Sequence, residues 1–161
     1  MKFALILSLL LISIVAFAAP QPISTQVIEL KPGWNLVTIT RPLDDANKNI
    51  ERFLDLHPFM LNKEQKTYVQ CLEKDDVKVG VGYWVFAKTA ISIELTQDIT
   101  RTSWDTADVS QSWDLIGQTE KSTWKDKVSS IYKWEDGRFQ SVASSEVKVG
   151  LAYWTFLDTD K

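Results

Sequence analysis

Aromatic side chains are the residues of this sequence with the clearest capacity for molecular recognition. Seven Trp, four Tyr and seven Phe occur in 161 residues. Their flat rings stack on sugar faces and attract aromatic or cationic partners. The first question is therefore which rings form a core and which form a binding surface.

Catalytic and metal-binding side chains are sparse by comparison. His57 is the single histidine and Cys71 the single cysteine, so zinc ligand sets and nucleophilic triads have few residues to draw on. Because His57 precedes Pro58 at the end of an apolar helical pattern, we interpret it as a helix terminus. Adjacent acids such as Asp75 and Asp76 are typical of solvated turns, and they do not form a calcium-binding loop. The sequence favours no enzyme, no metal and no cofactor.

The charge balance bears on the class of partner. Eighteen Lys and Arg stand against 21 Asp and Glu, which gives a net charge of −3. Nucleic-acid backbones and anionic membranes are bound mainly by clustered cations. We therefore expect no nucleic-acid partner.

Residues 1–18 predict a cleaved secretory signal. Lys2 gives a short positive start, residues 3–15 are apolar apart from two Ser, and residues 16–18 supply the small-residue cleavage site. The alternative, a membrane anchor, is disfavoured because the run is short of the about 20 residues that a span needs and no basic cluster follows it. We expect an exported protein, extracellular or periplasmic, with no transmembrane segment after cleavage.

Two sequence boxes each occur twice. Residues 77–86 return as residues 147–156 with the shared pattern Val-Lys-Val-Gly-x-x-Tyr-Trp-x-Phe, and residues 33–37 return more weakly as residues 112–116. Because the boxes have the same order in both halves, the sequence predicts tandem modules. The predicted boundaries are 19–96 for the first module, 97–107 for the connection and 108–161 for the second module.

The strand signals lie mostly in and around the boxes. A type II turn at Pro32 and Gly33 leads into a strand over residues 34–40. Strands over residues 83–86 and 91–95 are predicted to form a hairpin through residues 88–90. Asp136 and Gly137 predict the turn of another hairpin, between residues 130–134 and 139–142, and residues 67–72 are predicted as the counterpart of 139–142.

One short helix is predicted between the boxes of each module. In the first module Asp44 or Asp45 caps it and it ends before His57. In the second module it begins after Ser122 or Thr123 and carries Trp124, Val128 and Ile131 on one face. The predicted fold class is therefore mainly β, with two related modules of antiparallel strands and one short helix each. Both are expected to pack into one body, because about 70 residues bury too little apolar surface alone.

The boxes resemble a known module. Residues 33–37 (Gly-Trp-Asn-Leu-Val) followed by residues 80–85 (Gly-x-Gly-Tyr-Trp-Val) are similar to the "GWNL…GxGYWV" module found, often in tandem, in secreted and surface proteins of bacteria. The second copy departs from the pattern at Ser112, Asp114 and Ala152, which suggests different turns there. The resemblance implies an extracellular, mostly β module of uncharacterised role, and it supplies no catalytic residues.

The rings divide by whether they have a counterpart in the other module. Rings at matching positions are expected in the core, because a repeated core places the same side chains inside twice. The predicted repeat-core scaffold is Trp34, Leu36, Tyr83, Trp84, Trp113, Leu115, Tyr153 and Trp154. Rings without a clear counterpart are the candidates for an exposed ligand-binding platform. These are Trp104, Trp124, Tyr132 and Trp134.

Three functions are compatible with these patterns. The favoured one is a secreted, non-enzymatic binding or surface-attachment module, with a glycan or another envelope or extracellular protein as partner. The alternative is a structural or assembly subunit of a cell-envelope or surface complex, because edge strands extend by pairing. Cys71 would cross-link such an assembly if exposed, although its apolar neighbours favour a buried thiol. A secreted hydrolase is third, since adjacent acids do not make an acid-base pair at a set distance. The oligomeric state stays open.

Overall fold

The structure is a computed structural model that describes residues 24–44, 49–101, 103–105, 109 and 113–157. The predicted signal sequence lies outside these ranges. The described chain is mainly β, and its strands form three antiparallel sheets, which confirms the predicted fold class. The strands are β1 (Ser24–Leu30), β2 (Gly33–Thr38), β3 (Phe59–Asn62), β4 (Thr67–Gln70), β5 (Gly82–Ala87), β6 (Ile91–Gln97), β7 (Trp113–Gly117), β8 (Ser130–Glu135), β9 (Arg138–Ser141) and β10 (Ala152–Phe156). The α-helix of the described residues is α1 (Ile50–Leu54), and short 3-10 helices span Lys74–Asp76, Trp124–Asp126 and Ser144–Glu146.

Two four-stranded sheets have the same arrangement. The first has the order β2-β5-β3-β4, the second has the order β7-β10-β8-β9, and β1 pairs with β6 separately. Each strand of the first sheet thus has a counterpart at the same place in the second. β4 pairs with β3 in the way that β9 pairs with β8, so residues 67–70 occupy the place of β9 in the first module, as the sequence predicted for residues 67–72. Two such sheet units are consistent with two modules.

Asn35 fixes the turn between β1 and β2. Its Oδ1 accepts a hydrogen bond from the Lys31 N–H at 2.9 Å, and its Nδ2 donates to the carbonyls of Lys31 and Gly33 at 2.8 and 2.9 Å. Gly33 has a φ of 99°, a left-handed value that a side chain would strain. The Gly and Asn of the first box are therefore turn residues, and they aim the Trp between them.

Two predicted connections differ from the structure. β6 pairs with β1 and not with β5, so residues 88–90 lead from one sheet to another and do not close a hairpin. Gln97, predicted to begin a polar connection, instead ends β6 and is buried. Its Nε2 donates to Thr40 Oγ1 at 2.8 Å, which explains how a polar side chain is accommodated there.

The helix of the first module is confirmed, but its start is not where the sequence suggested. α1 follows Asn49, whereas Asp44 lies five residues earlier and its N–H donates to the Thr96 carbonyl. Asp45 lies outside the described residues. His57 follows the helix with a φ of 53°, in agreement with its interpretation as a helix terminus.

The helix predicted in the second module is wrong. A single 3-10 turn, Trp124–Asp126, stands in its place, and Ile131 belongs to β8. The apolar spacing that resembled a helix comes from a buried ring followed by a strand. The Asp136 and Gly137 turn is confirmed, with φ values of 52° and 73° between β8 and β9.

Both faces of each four-stranded sheet are apolar. On β5, Tyr83 and Val85 are fully buried in the core of the first module, together with Phe53 of α1. The alternate residues Gly82 and Trp84 point the other way, because successive side chains of a strand project to opposite faces. A separate cluster occupies that second face and joins the modules. It contains Leu36, Leu61, Trp84, Leu115, Trp134, Ala152 and Trp154.

Two isolated β-bridges between the sheet units are placed as an approximate two-fold axis would place them. Val37 forms an isolated β-bridge with Leu151, and Val81 forms one with Ile116. In the sequence match Val37 corresponds to Ile116 and Val81 corresponds to Leu151. One bridge therefore becomes the other when the modules are exchanged, as a two-fold operation requires.

Residues at this axis face their own counterparts. When the match of residues 33–37 with 112–116 is continued without a gap, Thr38 corresponds to Gly117 and Arg41 to Glu120. A Cβ on Gly117 would lie 1.9 Å from Oγ1 of Thr38. A Cβ on Gly82 would lie 3.1 Å from Cβ of its counterpart Ala152 and 2.7 Å from Cγ of Leu115. The Gly-to-Ala difference between the two second boxes is thus a matter of close packing across the axis, and not of a different turn.

Among the described residues, two ion pairs also cross between the modules. Arg41 pairs with Glu120, which is its counterpart in the match. Lys63 Nζ lies 2.5 Å from Asp114 Oδ2, and the Asp114 side chain is 1% exposed. Asp114 corresponds to Asn35. In the first module this position closes the turn before β2, and in the second it binds Lys63 of the first module. Among the described residues, no helix is long and apolar enough to cross a membrane.

Candidate functional site: an aromatic groove between the modules

The Tyr of the second box anchors the strand that carries the central Trp of each sheet. Tyr83 Oη accepts a hydrogen bond from the Lys78 N–H at 2.5 Å, and Tyr153 Oη accepts one from the Lys148 N–H at 2.8 Å. Burial raises the pKa of both phenols, and these hydrogen bonds offset part of the increase. Because each Tyr is fixed on the core side, the Trp that follows it is directed to the opposite face.

Six aromatic rings line a groove of about 460 Å³ at the junction of the modules. This size is in the range of small-ligand sites. Strands β2 to β5 provide four rings and the hairpin β8-β9 provides two. The rings are Trp34, Phe59, Tyr68, Trp84, Trp134 and Phe139.

The rings meet edge to face. The Trp84 ring centroid lies 5.1 Å from that of Trp134, 6.0 Å from Phe139 and 6.3 Å from Trp34, with interplanar angles of 85°, 78° and 90°. Phe86 supports Trp34 from the side at 5.4 Å. Such T-shaped pairs are favourable because a positive ring edge meets a negative ring face. The groove is therefore lined by rings in mutual contact, which present ring faces and ring edges side by side.

Internal hydrogen bonds hold two of the indoles. Trp84 Nε1 donates to Tyr68 Oη at 3.3 Å, and Trp134 Nε1 donates to the Trp34 carbonyl at 3.0 Å across the modules. Tyr68 Oη acts as the acceptor in its bond with Trp84, so its own proton is available to a ligand. The surface of the groove is otherwise almost entirely apolar.

A second, polar groove of about 420 Å³ lies beside Trp34 and Trp134. Its charged residues are Glu29, Lys31, Lys133, Glu135, Asp136, Glu146 and Lys148. Lys133 Nζ lies 2.6 Å from Glu135 Oε2. The hydrogen bond and charge of Lys133 lower the pKa of Glu135, and Lys31 and Lys148 add to this effect. Trp34 and Trp134 thus form a ridge, with an apolar groove on one side and a charged groove on the other.

The prediction that all four box Trp residues are buried is wrong for two of them. Trp34 is 49% exposed and Trp113 is 43% exposed, while Trp84 and Trp154 are half-buried. Trp34 and Leu36 share the face that meets the other module, but only Leu36 is covered by it, whereas Trp34 lies at the margin of the contact with its carbonyl bonded to Trp134 Nε1. The aliphatic and Tyr members of the predicted scaffold, Leu36, Tyr83, Leu115 and Tyr153, are buried as expected.

The candidates for an exposed platform do not come together. Trp124 is wrong as a candidate, because it is 1% exposed and its Nε1 donates to the Gly117 carbonyl at 3.1 Å. Trp104 is half-buried under Lys121, whose Nζ lies 3.7 Å from the ring centroid. Tyr132 packs 5.7 Å from Trp113 on the second sheet. Trp134 alone of these four lines the groove.

The second sheet has its own aromatic cluster, with a different geometry. Trp113 and Trp154 stack at 6.1 Å with an interplanar angle of 16°, and Phe156 lies 5.1 Å from Trp113. These residues correspond to Trp34, Trp84 and Phe86. The two Trp rings therefore stack in parallel in the second module, whereas in the first module they meet edge to face.

Three groove residues were missed by sequence reasoning, namely Phe59, Tyr68 and Phe139. A usable signal existed for two of them. Tyr68 pairs with Leu61 in one hairpin as Phe139 pairs with Trp134 in the other, so aromatic residues occupy corresponding places on the edge strands β4 and β9. Aligning the hairpins as well as the boxes would have identified this pair.

In the part of the chain that the structure describes, no group of three or more His, Cys, Asp or Glu residues is placed to hold a metal ion. Comparisons with known protein families, with curated proteins and with solved structures find no match to this chain. The resemblance to tandem bacterial surface modules therefore stays a prediction from the two boxes.

Proposed function

We propose that this chain is a non-enzymatic binding module whose ligand occupies the aromatic groove. The observation that carries the proposal is a contiguous set of rings packed edge to face, of which Trp34, Tyr68 and Phe139 are each close to half exposed. Soluble proteins rarely leave such a set open to water unless a partner covers it. Trp and Tyr are also the residues that dominate binding energy at interfaces.

The rigidity of the groove supports this assignment. Trp84 contacts rings on three sides, and the Trp84 and Trp134 indoles are held by hydrogen bonds. Side chains that are already ordered lose little conformational entropy when a ligand binds. The proposal includes export, which rests on the pattern of residues 1–18, and hence a partner outside the cytoplasm.

A combined glycan and peptide array tests the proposal with a matched pair of variants. Trp34→Ala removes a half-exposed ring of the groove. Trp113→Ala removes its counterpart, which is similarly exposed but belongs to the stacked cluster. We expect Trp34→Ala to weaken the binding free energy of the array ligands by about 2 kcal/mol or more, as for an interface hot spot. Trp113→Ala should leave their binding unchanged.

Circular dichroism establishes that both variants fold. Equal loss in the two variants, or an array on which every bound ligand survives Trp34→Ala, would contradict a site in the groove.

A further inference from the structure

We propose that the ligand of the groove is an extended, proline-rich peptide segment with a basic residue beside its prolines. This inference rests on the proposed function and names the ligand class for the same site. Three features of the site support it: the arrangement of the rings, the placement of the one hydroxyl donor of the groove lining, and the charge of the adjoining polar groove.

The arrangement of the rings suits prolines better than sugars. A polyproline II helix is an extended rod with three residues per turn, and its pyrrolidine rings fit between aromatic side chains. The rings around Trp84 stand at 78° to 90° to it, so the groove floor presents ring faces and ring edges side by side, against which pyrrolidine rings pack. A sugar stacks on a flat, exposed ring face and needs polar groups for its hydroxyls, whereas the groove lining is almost entirely apolar.

The Tyr68 hydroxyl matches the polar requirement of such a peptide. A polyproline II segment has no internal hydrogen bonds, so its carbonyls need donors from the binding site. Tyr68 Oη accepts from Trp84 Nε1 and keeps its proton for a carbonyl of the ligand. A preformed polyproline II segment also loses little entropy on binding.

The polar groove supplies charge complementarity for a basic residue. Four acids and three lysines line it, and when the Lys133–Glu135 pair is set aside three acids and two lysines remain, an excess of one negative charge. The whole chain is also acidic, with a net charge of −3. A side chain that crosses the ridge of Trp34 and Trp134 passes over indole rings, which attract cations and above all the planar guanidinium of Arg.

Titration of the full chain with defined probes tests this. The probes are a peptide of about ten prolines, the same peptide ending in two Arg or in two Glu, and linear β-linked glucose and N-acetylglucosamine oligosaccharides. We expect saturable changes in Trp emission with the peptides and none with the sugars. The Arg peptide should bind about tenfold more tightly than the neutral peptide at low salt, and the Glu peptide most weakly.

Variants locate the binding. Trp34→Ala should weaken binding of the Arg peptide about 30-fold or more, and Tyr68→Phe, which keeps the ring, about three- to tenfold. Trp113→Ala should leave the affinity within about twofold, because Trp113 lies outside the groove and distant sites contribute independently.

The outcomes separate the ligand class from the site. Sugar binding that is lost with Trp34→Ala, without peptide binding, overturns the peptide assignment and leaves the groove as the binding site. Peptide binding that survives Trp34→Ala overturns both the peptide assignment and the groove as the binding site. Equal affinity for the Arg and Glu peptides overturns the preference for a basic residue. Failure of every probe to bind overturns the whole inference about the ligand class. The glycan and peptide array tests the proposed function separately.

Discussion

Cys71 shows how burial removes the reactivity of a side chain. Its thiol is 1% exposed, and burial, together with the nearby charge of Asp76, raises its pKa to about 11. The thiolate is the reactive form of cysteine, so this thiol is both shielded and protonated at neutral pH. The structure agrees with the interpretation of Cys71 as a buried thiol, and it weighs against a cross-linking role.

The pKa of Cys71 gives a prediction for stability at alkaline pH. In the unfolded chain the thiol loses its proton near its ordinary pKa of 9.0, whereas in the folded chain it keeps the proton up to about pH 11. The folded state binds more protons in this window, so the free energy of unfolding should fall as the pH rises through it. Urea unfolding at about pH 8 and about pH 10.5 measures the difference.

Cys71→Ala is the control, and it should make this decrease smaller. A residual slope is expected from Tyr83, whose pKa is also raised by burial. An unchanged slope in Cys71→Ala would contradict the assignment of the effect to the thiol.

At the scale of strands, the sequence was informative wherever local chemistry decides the structure. Asp136 and Gly137 form the predicted turn, because left-handed backbone values suit these two residues. The strands around the boxes also follow their alternation. The helix predicted around Trp124 failed because apolar residues every three or four positions also fit a buried ring followed by a strand.

The exposure of the rings could not be read from the alternation. Each four-stranded sheet buries both faces in part, one in its own core and one against the other module. A strand pattern shows that Trp34 and Leu36 share a face, but not where the contact with the second sheet ends. That limit depends on how the modules dock, and the docking is set by residues distant in sequence.

The last residues of β2 and β7, Thr38 and Gly117, approach so closely that the space between them holds one side chain and not two. Gly117→Ala should destabilise the protein by about 1–3 kcal/mol, as overpacking does in other cores, because its Cβ would lie 1.9 Å from Thr38 Oγ1. Thermal or urea unfolding measures this loss.

The control for this prediction exploits the two-fold relation. Exchanging the residues, Thr38→Gly with Gly117→Thr, moves the side chain to the other strand and should cost less than Gly117→Ala alone. Gly117→Ala combined with Thr38→Gly should also recover stability, apart from the hydrogen bond that Thr38 Oγ1 donates to the Val81 carbonyl at 2.8 Å. Simple addition of the two single losses would contradict direct contact.

At the scale of the whole molecule, the modules are joined by contacts that differ in burial. Lys63 reaches Asp114, whose side chain is 1% exposed, whereas Arg41 and Glu120 are both partly exposed. Lys63→Ala should therefore lower the free energy of unfolding by about 1–3 kcal/mol, because a buried carboxylate loses its cation. Arg41→Ala, at an exposed pair, should cost about 0–1 kcal/mol.

Asp114→Asn provides the matching test, since Asn stands at the corresponding position of the first module. Lys63→Ala should be less harmful in the Asp114→Asn background, where no charge is left behind. A double-mutant cycle from urea unfolding gives the coupling energy, and a coupling near zero would show that the pair does not hold the modules together.

The two-fold axis has a consequence for how such a molecule diverges. Some positions between the modules keep the same residue in both halves, as Leu36 with Leu115 and Trp84 with Trp154 do. At the axis, where Thr38 meets Gly117 and Arg41 meets Glu120, identical residues would clash or repel. At these two contacts the halves are thus complementary and not interchangeable, because a substitution on one side requires a different substitution on the other.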